Sequence, residues 1–227
     1  ITYNTADFTI TPKAASVTPD AASKIYGAVD PVFTGTLTGF LPVDSVTAAY
    51  SRVAGETVLG GPYTISATLA PAGVLSNYTI TYNTANFTIT PKAVSVTPNA
   101  ASKTYGSVDP ALSGILTGFL PADGVTAAYS RIAGETVLGG PYTISAILAP
   151  AGVFSNYTIT YNTANFTINP KVASATPNAA SKIYGSADPA LTGALTGFLP
   201  ADAVTATYAR VAGETVLGGP YTISATL

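Results

Sequence analysis

Residues 77–92 read Asn-Tyr-Thr-Ile-Thr-Tyr-Asn-Thr-Ala-Asn-Phe-Thr-Ile-Thr-Pro-Lys, and the phrase returns at residues 156–171 with one change, Asn169 for Thr90. Its tail opens the chain at Ile1. Because Ile1, Ile80 and Ile159 head the same words, the period is 79 residues with no insertion or deletion. A fixed period of this size marks a tandem array in which each unit is one supersecondary module that buries its faces against its neighbours. The expected organisation is residues 1–11 as the closing strands of a preceding repeat, complete repeats over 12–90 and 91–169, and 170–227 as a repeat lacking its closing hairpin. Two readings of these ends follow: the chain is a window on a longer polymer, or residues 1–11 of one copy complete the open unit of another by strand addition.

Charge keeps the same register. Lys13, Lys24, Asp30, Asp44, Arg52 and Glu56 recur 79 and 158 positions on, and only Asp7 and Asp20 fall outside the set. With a net charge of −2 there is no basic stripe for nucleic acid and no polybasic segment for anionic lipid. No apolar run is long enough to insert in a membrane. Soluble domains usually hold themselves apart with far more Lys and Glu, so end-to-end or lateral contacts with other copies are expected. There is no Cys, so a unit this small must hold its thin core without a disulfide.

Within the middle copy, Val94 and Val96 alternate in a first strand, and Pro98 to Ser102 turns, with at most one turn of helix there. Leu112, Gly114, Leu116, Gly118 and Leu120 share one side of a second strand; glycine at alternate positions predicts a backbone or an aromatic ring packed close by. Val125 to Arg131 and Tyr142 to Leu148 alternate as a third and a fourth strand. Tyr157 to Tyr161, a turn at Asn162 to Asn165, and Phe166 to Ile168 read as a closing hairpin. The apolar phase flips across Thr11-Pro12-Lys13, as a change of sheet or a junction would require, which places boundaries at Pro12, Pro91 and Pro170. The expected class is all-β: tandem small β-sandwich modules, Ig-like or Greek-key, in an elongated array.

Candidate chemistry is sparse. There is no His and no Cys for nucleophilic catalysis, and Asp30, Asp44 and Glu56, which could in principle serve a glycosidase, recur in phase with the scaffold as turn and loop residues do. No cofactor motif and no metal-ligand spacing is present, and a junctional cation at Asp30 or Asp44 is the nearest approach to a metal site. Lys24, Lys103 and Lys182 are candidates for an amide crosslink to Asn83 or Asn77, with Glu56 as the acid; the plainer reading lays the lysine stem over Tyr26 and leaves the ammonium in water. Asn77, Asn86, Asn156 and Asn165 fit the Asn-x-Thr glycosylation pattern, and alternation turns them outward on strand ends. The tyrosines of the Tyr26, Tyr50, Tyr63, Tyr78 and Tyr82 phases offer either a sugar-binding platform or half-buried packing.

The run Ser-Lys-x-Tyr-Gly-x-x-Asp-Pro at residues 23–31, 102–110 and 181–189, with Ala-Gly-Glu-Thr-Val-x-Gly-x-Pro-Tyr-Thr-Ile and the Asn-Tyr-Thr-Ile close, resembles the glycine-rich MBG repeats of the YGX type, relatives of the YDG repeats. Such repeats stand in tandem in large bacterial surface proteins, including filamentous-haemagglutinin-like adhesins. The resemblance implies an extracellular or cell-surface location, no catalytic residues, and a structural role as stiff stalk or fibre. The alternative is an adhesive module that recognises glycans or host surfaces.

Overall fold

The computed structural model describes residues 1–227. The first repeat begins at β1 (Lys13–Pro19), whose Ala15, Val17 and Pro19 point inward while the residues between them do not. β1 is flanked by β3 (Gly35–Thr38), antiparallel, and by β6 (Tyr78–Tyr82), parallel, in the order β3-β1-β6. The second sheet runs β2-β7-β5-β4, from β2 (Ala22–Ile25) through β7 (Ala85–Thr90) and β5 (Tyr63–Ala70) to β4 (Thr47–Arg52). Phe87 of β7 lies opposite Tyr63 of β5 on one side and Ala22 of β2, in parallel, on the other.

The inward letters of these strands make the core. Tyr63, Ile65, Phe87 and Ile89 form a buried cluster, and Ala22, Tyr26, Phe33, Tyr50 and Val58 pack around it. Full burial of each large apolar side chain stabilises by about 1.5–3 kcal/mol, so four such residues are the main holding force of a unit with no disulfide. The alternate glycines do what their spacing predicts. A Cβ on Gly35 would stand 2.6 Å from the ring of Tyr50, and one on Gly39 would stand 2.4 Å from the carbonyl oxygen of Ala14.

The second repeat repeats the plan. It comprises β8 (Lys92–Pro98), β9 (Ala101–Thr104), β10 (Gly114–Thr117), β11 (Thr126–Arg131), β12 (Tyr142–Ala149), β13 (Tyr157–Tyr161) and β14 (Ala164–Asn169), in sheets β10-β8-β13 and β11-β12-β14-β9. The third holds two pairs, β15 (Ser174–Pro177) with β16 (Gly193–Thr196), and β17 (Thr207–Arg210) with β18 (Ile223–Thr226). The protein is thus all-β in tandem two-sheet repeats. No helix is long and apolar enough to cross a membrane.

Two expectations need correction. The closing phrase is not a hairpin: β6 and β7, and likewise β13 and β14, join different sheets. A connection that short looks like a hairpin turn, but the phase of burial flips across it, and each strand finds a parallel partner near the start of its own repeat. The turn expected over residues 98–102 is confined to Asn99 and Ala100, because Ala101–Thr104 is a strand held by parallel pairing to β14. The proline at each boundary does mark a change of sheet, with β7 ending at Thr90 and β8 starting at Lys92.

Residues 1–11 carry the letters of β6 and β7 yet form no strand and stay exposed. Residues 180–183, which match β2 and β9, also form none. In both places the parallel partner of the other copies has no counterpart in contact. The compact units follow this pairing: one comprises Ile1–Thr97, Gly114–Ala128 and Ala146–Asn162, the other Pro98–Ser113, Tyr129–Ser145 and Thr163–Leu227. The first sheet of the second repeat therefore belongs to the same compact body as the first repeat.

Phe87→Ala should lower stability by about 3–5 kcal/mol, the usual cost of truncating a fully buried phenylalanine, measured by urea unfolding. Phe8→Ala, the same letter in the same phrase, should change it by less than about 0.5 kcal/mol in dilute solution.

Candidate functional site

Two constellations recur along the chain, one built by every repeat and one formed where the first and the second repeat each meet the next. The first gathers most of the scarce charge. Arg52, at the end of β4, spends all five of its N–H donors. Nε donates to Asp30 Oδ2 at 2.6 Å and Nη2 to Asp30 Oδ1 at 3.1 Å. Nη1 donates to the carbonyls of Val53 and Gly55 at 3.0 and 2.7 Å, and Nη2 also to Glu56. Lys24 of β2 closes the ring, its Nζ 2.7 Å from Asp30 and 2.5 Å from Glu56. Beneath them lies the core: the guanidinium carbon sits 4.6 Å from the centre of the Phe87 ring, within cation–π range.

The Lys24 side chain is only 5% exposed, so the reading of a wet ammonium is corrected: its charge is held by two carboxylates. The same set recurs at Lys103, Asp109, Arg131 and Glu135, and at Lys182, Asp188, Arg210 and Glu214. The Arg52 fork, working against the cost of burial and joined by Lys24, holds the Asp30 carboxyl down at about 2. Burial alone would lower the Lys24 ammonium, but hydrogen bonds to Asp30 and Glu56 outweigh it and leave it raised. An amine kept protonated is a poor nucleophile, and a carboxylate gripped by guanidinium is a poor electrophile, so the cluster is suited to holding strands β2 and β4 to their loops.

The crosslink candidates are therefore only half assembled. Lys24, Lys103 and Lys182 meet their glutamates, but Asn83 lies on the first sheet, donating from Nδ2 to Thr18 Oγ1 at 2.8 Å, and Asn77 is exposed. Asp30 has both oxygens engaged by Arg52 and Lys24, and Asp44 accepts the Tyr78 hydroxyl on Oδ2. Of the tyrosines, Tyr63 and Tyr78 are buried, the Tyr63 hydroxyl donating back to the Thr57 carbonyl at 2.8 Å. Tyr26 and Tyr50 pack on the core, and Tyr82 is exposed, so no shared platform forms.

The second constellation is a joint, and sequence reasoning missed it. In the first compact unit, Tyr26 and Gly27 of the Lys-x-Tyr-Gly signature form a socket for the second repeat. The Tyr26 hydroxyl donates to Asp123, 3.1 Å from each oxygen, and its ring meets Tyr157 edge-on at 5.4 Å. The Tyr157 hydroxyl accepts the Leu120 N–H at 3.0 Å and donates to Asp123; burial first, then Asp123, pushes its pKa up to about 12. Gly27 has φ +79°, and a Cβ there would stand 2.6 Å from Leu120. The glycine is needed twice, for its left-handed backbone and for the leucine laid against it. Val58 N–H donates to Asn156 Oδ1 at 2.9 Å, which buries that residue and corrects the outward orientation expected of it; Asn77, Asn86 and Asn165 are exposed.

The second compact unit repeats the joint. Tyr105 donates to Asp202 at 2.6 Å, and a Cβ on Gly106 would meet Leu199 at 2.6 Å. Tyr26 and Asp123 are 97 residues apart, as are Tyr105 and Asp202. The signal available in the sequence was the exact period, which keeps both partners in phase.

The profile of the MBG domain (YGX type) matches residues 15–88, 94–167 and 173–227. The chain belongs to this family. In these MBG repeats the tyrosine and glycine of the signature are the socket of the joint, and its lysine and aspartate belong to the charge cluster. No curated protein matches the chain. Three tandem MBG repeats are consistent with a repeat region of a surface protein.

The charge cluster sets an acid limit on stability. Carboxylates held at about 2 contribute stability above their unfolded value of 3.8 and lose it as the pH falls through 2. The raised lysines contribute below 10.5 and lose their share only above it. Thermal unfolding followed by circular dichroism should give a plateau at intermediate pH and a decline that begins below about pH 4. For the joint, a double-mutant cycle of Tyr26→Phe and Asp123→Ala, read by urea unfolding, should show a coupling of about 1 kcal/mol.

Proposed function

We propose that these repeats form a structural segment of a bacterial extracellular fibre or adhesin stalk and act mechanically as a stiff spacer, with no enzymatic activity. The observation that carries this reading is the joint. One repeat's Leu120, Asp123, Asn156 and Tyr157 lock onto the preceding repeat's Tyr26, Gly27 and Val58, so successive repeats share a compact unit where a free linker would leave them apart. The connection Thr90-Pro91-Lys92 supports it, since one proline between two strands leaves little room for hinge motion. The charge cluster supports it too: in each repeat one arginine ties the loop that carries Asp30 or its counterpart to the stretch that follows the arginine's own strand.

Catalysis would need a group free to exchange a proton or attack a substrate. Here the titratable side chains of the cluster are engaged with one another. The binding alternative loses its main candidate surface, because Tyr63 and Tyr78 serve the core and Tyr26 serves the joint.

Small-angle scattering tests the spacer. A compact globule of 227 residues would have a radius of gyration of about 17 Å, whereas three modules held in a row should give about 30 Å. A value near the globular figure sinks the proposal.

A further inference from the structure

Each repeat carries one Asp-Pro pair, at Asp30-Pro31, Asp109-Pro110 and Asp188-Pro189, and no other aspartate of the chain precedes a proline. An Asp-Pro link is the peptide bond most easily cut by acid. The aspartate side chain can close on its own main-chain carbonyl, and the proline nitrogen, more basic than an ordinary amide nitrogen, takes up a proton and leaves. In every repeat that aspartate is the one the charge cluster holds. Asp30 Oδ2 accepts from Arg52 Nε at 2.6 Å, while Oδ1 accepts from Arg52 Nη2 at 3.1 Å and stands 2.7 Å from Lys24 Nζ. Arg131 and Lys103 hold Asp109 in the same way, and Arg210 and Lys182 hold Asp188.

Burial does not shield these bonds. Both residues of each pair are exposed, and the three aspartate side chains are 31%, 36% and 40% accessible. Water and acid therefore reach the bond, and what is withheld is the freedom of the carboxylate. We infer that the Asp-Pro bond of each repeat is a latent self-cleavage site, kept uncut in the folded chain because the arginine and lysine of the charge cluster hold both oxygens of the aspartate and so prevent their attack on its own carbonyl. The step is a hydrolysis. One carboxylate oxygen of Asp30 adds to the Asp30 carbonyl carbon, the bond from that carbon to the Pro31 nitrogen breaks, and the nitrogen keeps the electron pair and takes a proton from solvent acid, leaving as a secondary amine. The cyclic anhydride left on Asp30 is opened by one water, which restores both carboxyl groups.

The electrostatics of the cluster agree. The groups that face Asp30 are the cations Arg52 and Lys24, and the one other charge beside them, Glu56, is held by the same two. Gripped by the guanidinium, the Asp30 carboxyl stays ionised and paired down to about 2, whereas a free aspartate protonates around 3.8. The hold therefore persists through the acid range in which an unfolded chain, with a mobile carboxylate, would be cut. It ends when the fold or the cluster is lost. Because the three aspartates lie 79 residues apart, scission at all of them divides the array into pieces of one period. None of this depends on the spacer reading, since a flexible chain with the same cluster would guard the same bonds.

Intact-mass measurement of the 227-residue chain held at about pH 3 is the test, with circular dichroism identifying the folded samples. Folded wild type should stay uncut. The same chain in urea at that pH should give fragments ending at Asp30, Asp109 and Asp188, whose masses sum to the intact mass plus one water for each bond cut. Arg131→Gln should be cut at Asp109-Pro110 about tenfold faster than at Asp30-Pro31 in the same molecule, the factor that a charge-assisted hydrogen bond is worth. Lys103→Met, which keeps the guanidinium fork, should show the same preference to a smaller degree, and it decides the matter with the wild type if Arg131→Gln does not fold. Phe166→Ala weakens the same repeat but leaves Arg131, Lys103 and Asp109 in place, so while folded it should stay uncut. The inference is overturned if folded wild type is cut as fast as the chain in urea, or if the folded cluster variants leave Asp109-Pro110 as stable as Asp30-Pro31. It is equally overturned if folded Phe166→Ala is cut as fast as Arg131→Gln, which would assign the protection to stability alone.

Discussion

Each of the first two repeats is held by parallel pairing between its last strands and its first. β6 lies beside β1 and β7 beside β2, so the chain returns to its starting edge after running through the whole unit. Such pairing rewards folding only after a long loop has closed, and the loop-closure entropy must be met before any of the contacts form. The consequence is visible where letters are shared and partners are not. Residues 22–25 and 101–104 are strands, and residues 180–183 are not. Residues 85–90 and 164–169 are strands, and residues 6–11 are not. Local propensity is the same in each set, so the difference comes from tertiary pairing alone.

The low charge of the chain acquires a different meaning beside this frame. A sequence with 9% charged residues looks poorly solvated, and contacts between copies are one answer to that. But four of the six charges of each repeat sit in one cluster, the lysine and arginine side chains of the first two repeats being almost wholly covered. Buried charge is tolerated when every donor is met, and here the arginine meets five acceptors while its face rests on an aromatic ring. Of the remaining charges in the first repeat, Lys13 donates to the Gly39 carbonyl at 2.6 Å, and Asp44 accepts from Tyr78. Charge in this chain specifies geometry more than it provides solubility.

Local pattern made much of the fold legible. Alternation located Lys92–Pro98, Thr126–Arg131 and Tyr142–Ala149, and alternate glycines pointed to the close contacts of Gly35 with Tyr50 and of Gly39 with Ala14. What escaped was non-local. Ala101–Thr104 has four residues of weak strand propensity and is a strand only because β14 lies beside it. The short link at Asn83-Thr84 has the length of a hairpin turn, and only the partners on each side show that it carries the chain between sheets. Lys24 beside Tyr26 suggested a stem on a ring, whereas its carboxylate partners come from the loops after β2 and after β4. The signature tyrosine suggested a sugar platform or half-buried packing, and nothing near it in sequence names Leu120 or Asp123.

The joint also explains why the period admits no slippage. Tyr26 must reach Asp123 while Gly27 lies against Leu120 and Val58 meets Asn156, so three contacts drawn from separate loops have to close together. Four of the segments involved lie in connections between strands, where single insertions are normally tolerated because they disturb only exposed backbone. Here such an insertion would displace one member of a set that packs as a unit. In β1 or β8 it would also turn Val17 or Val96 from core to solvent, because side chains alternate with a period of two. An array built on such joints is therefore constrained in its loops as tightly as in its strands, and the recurrence of six charged positions at the same interval accords with that constraint.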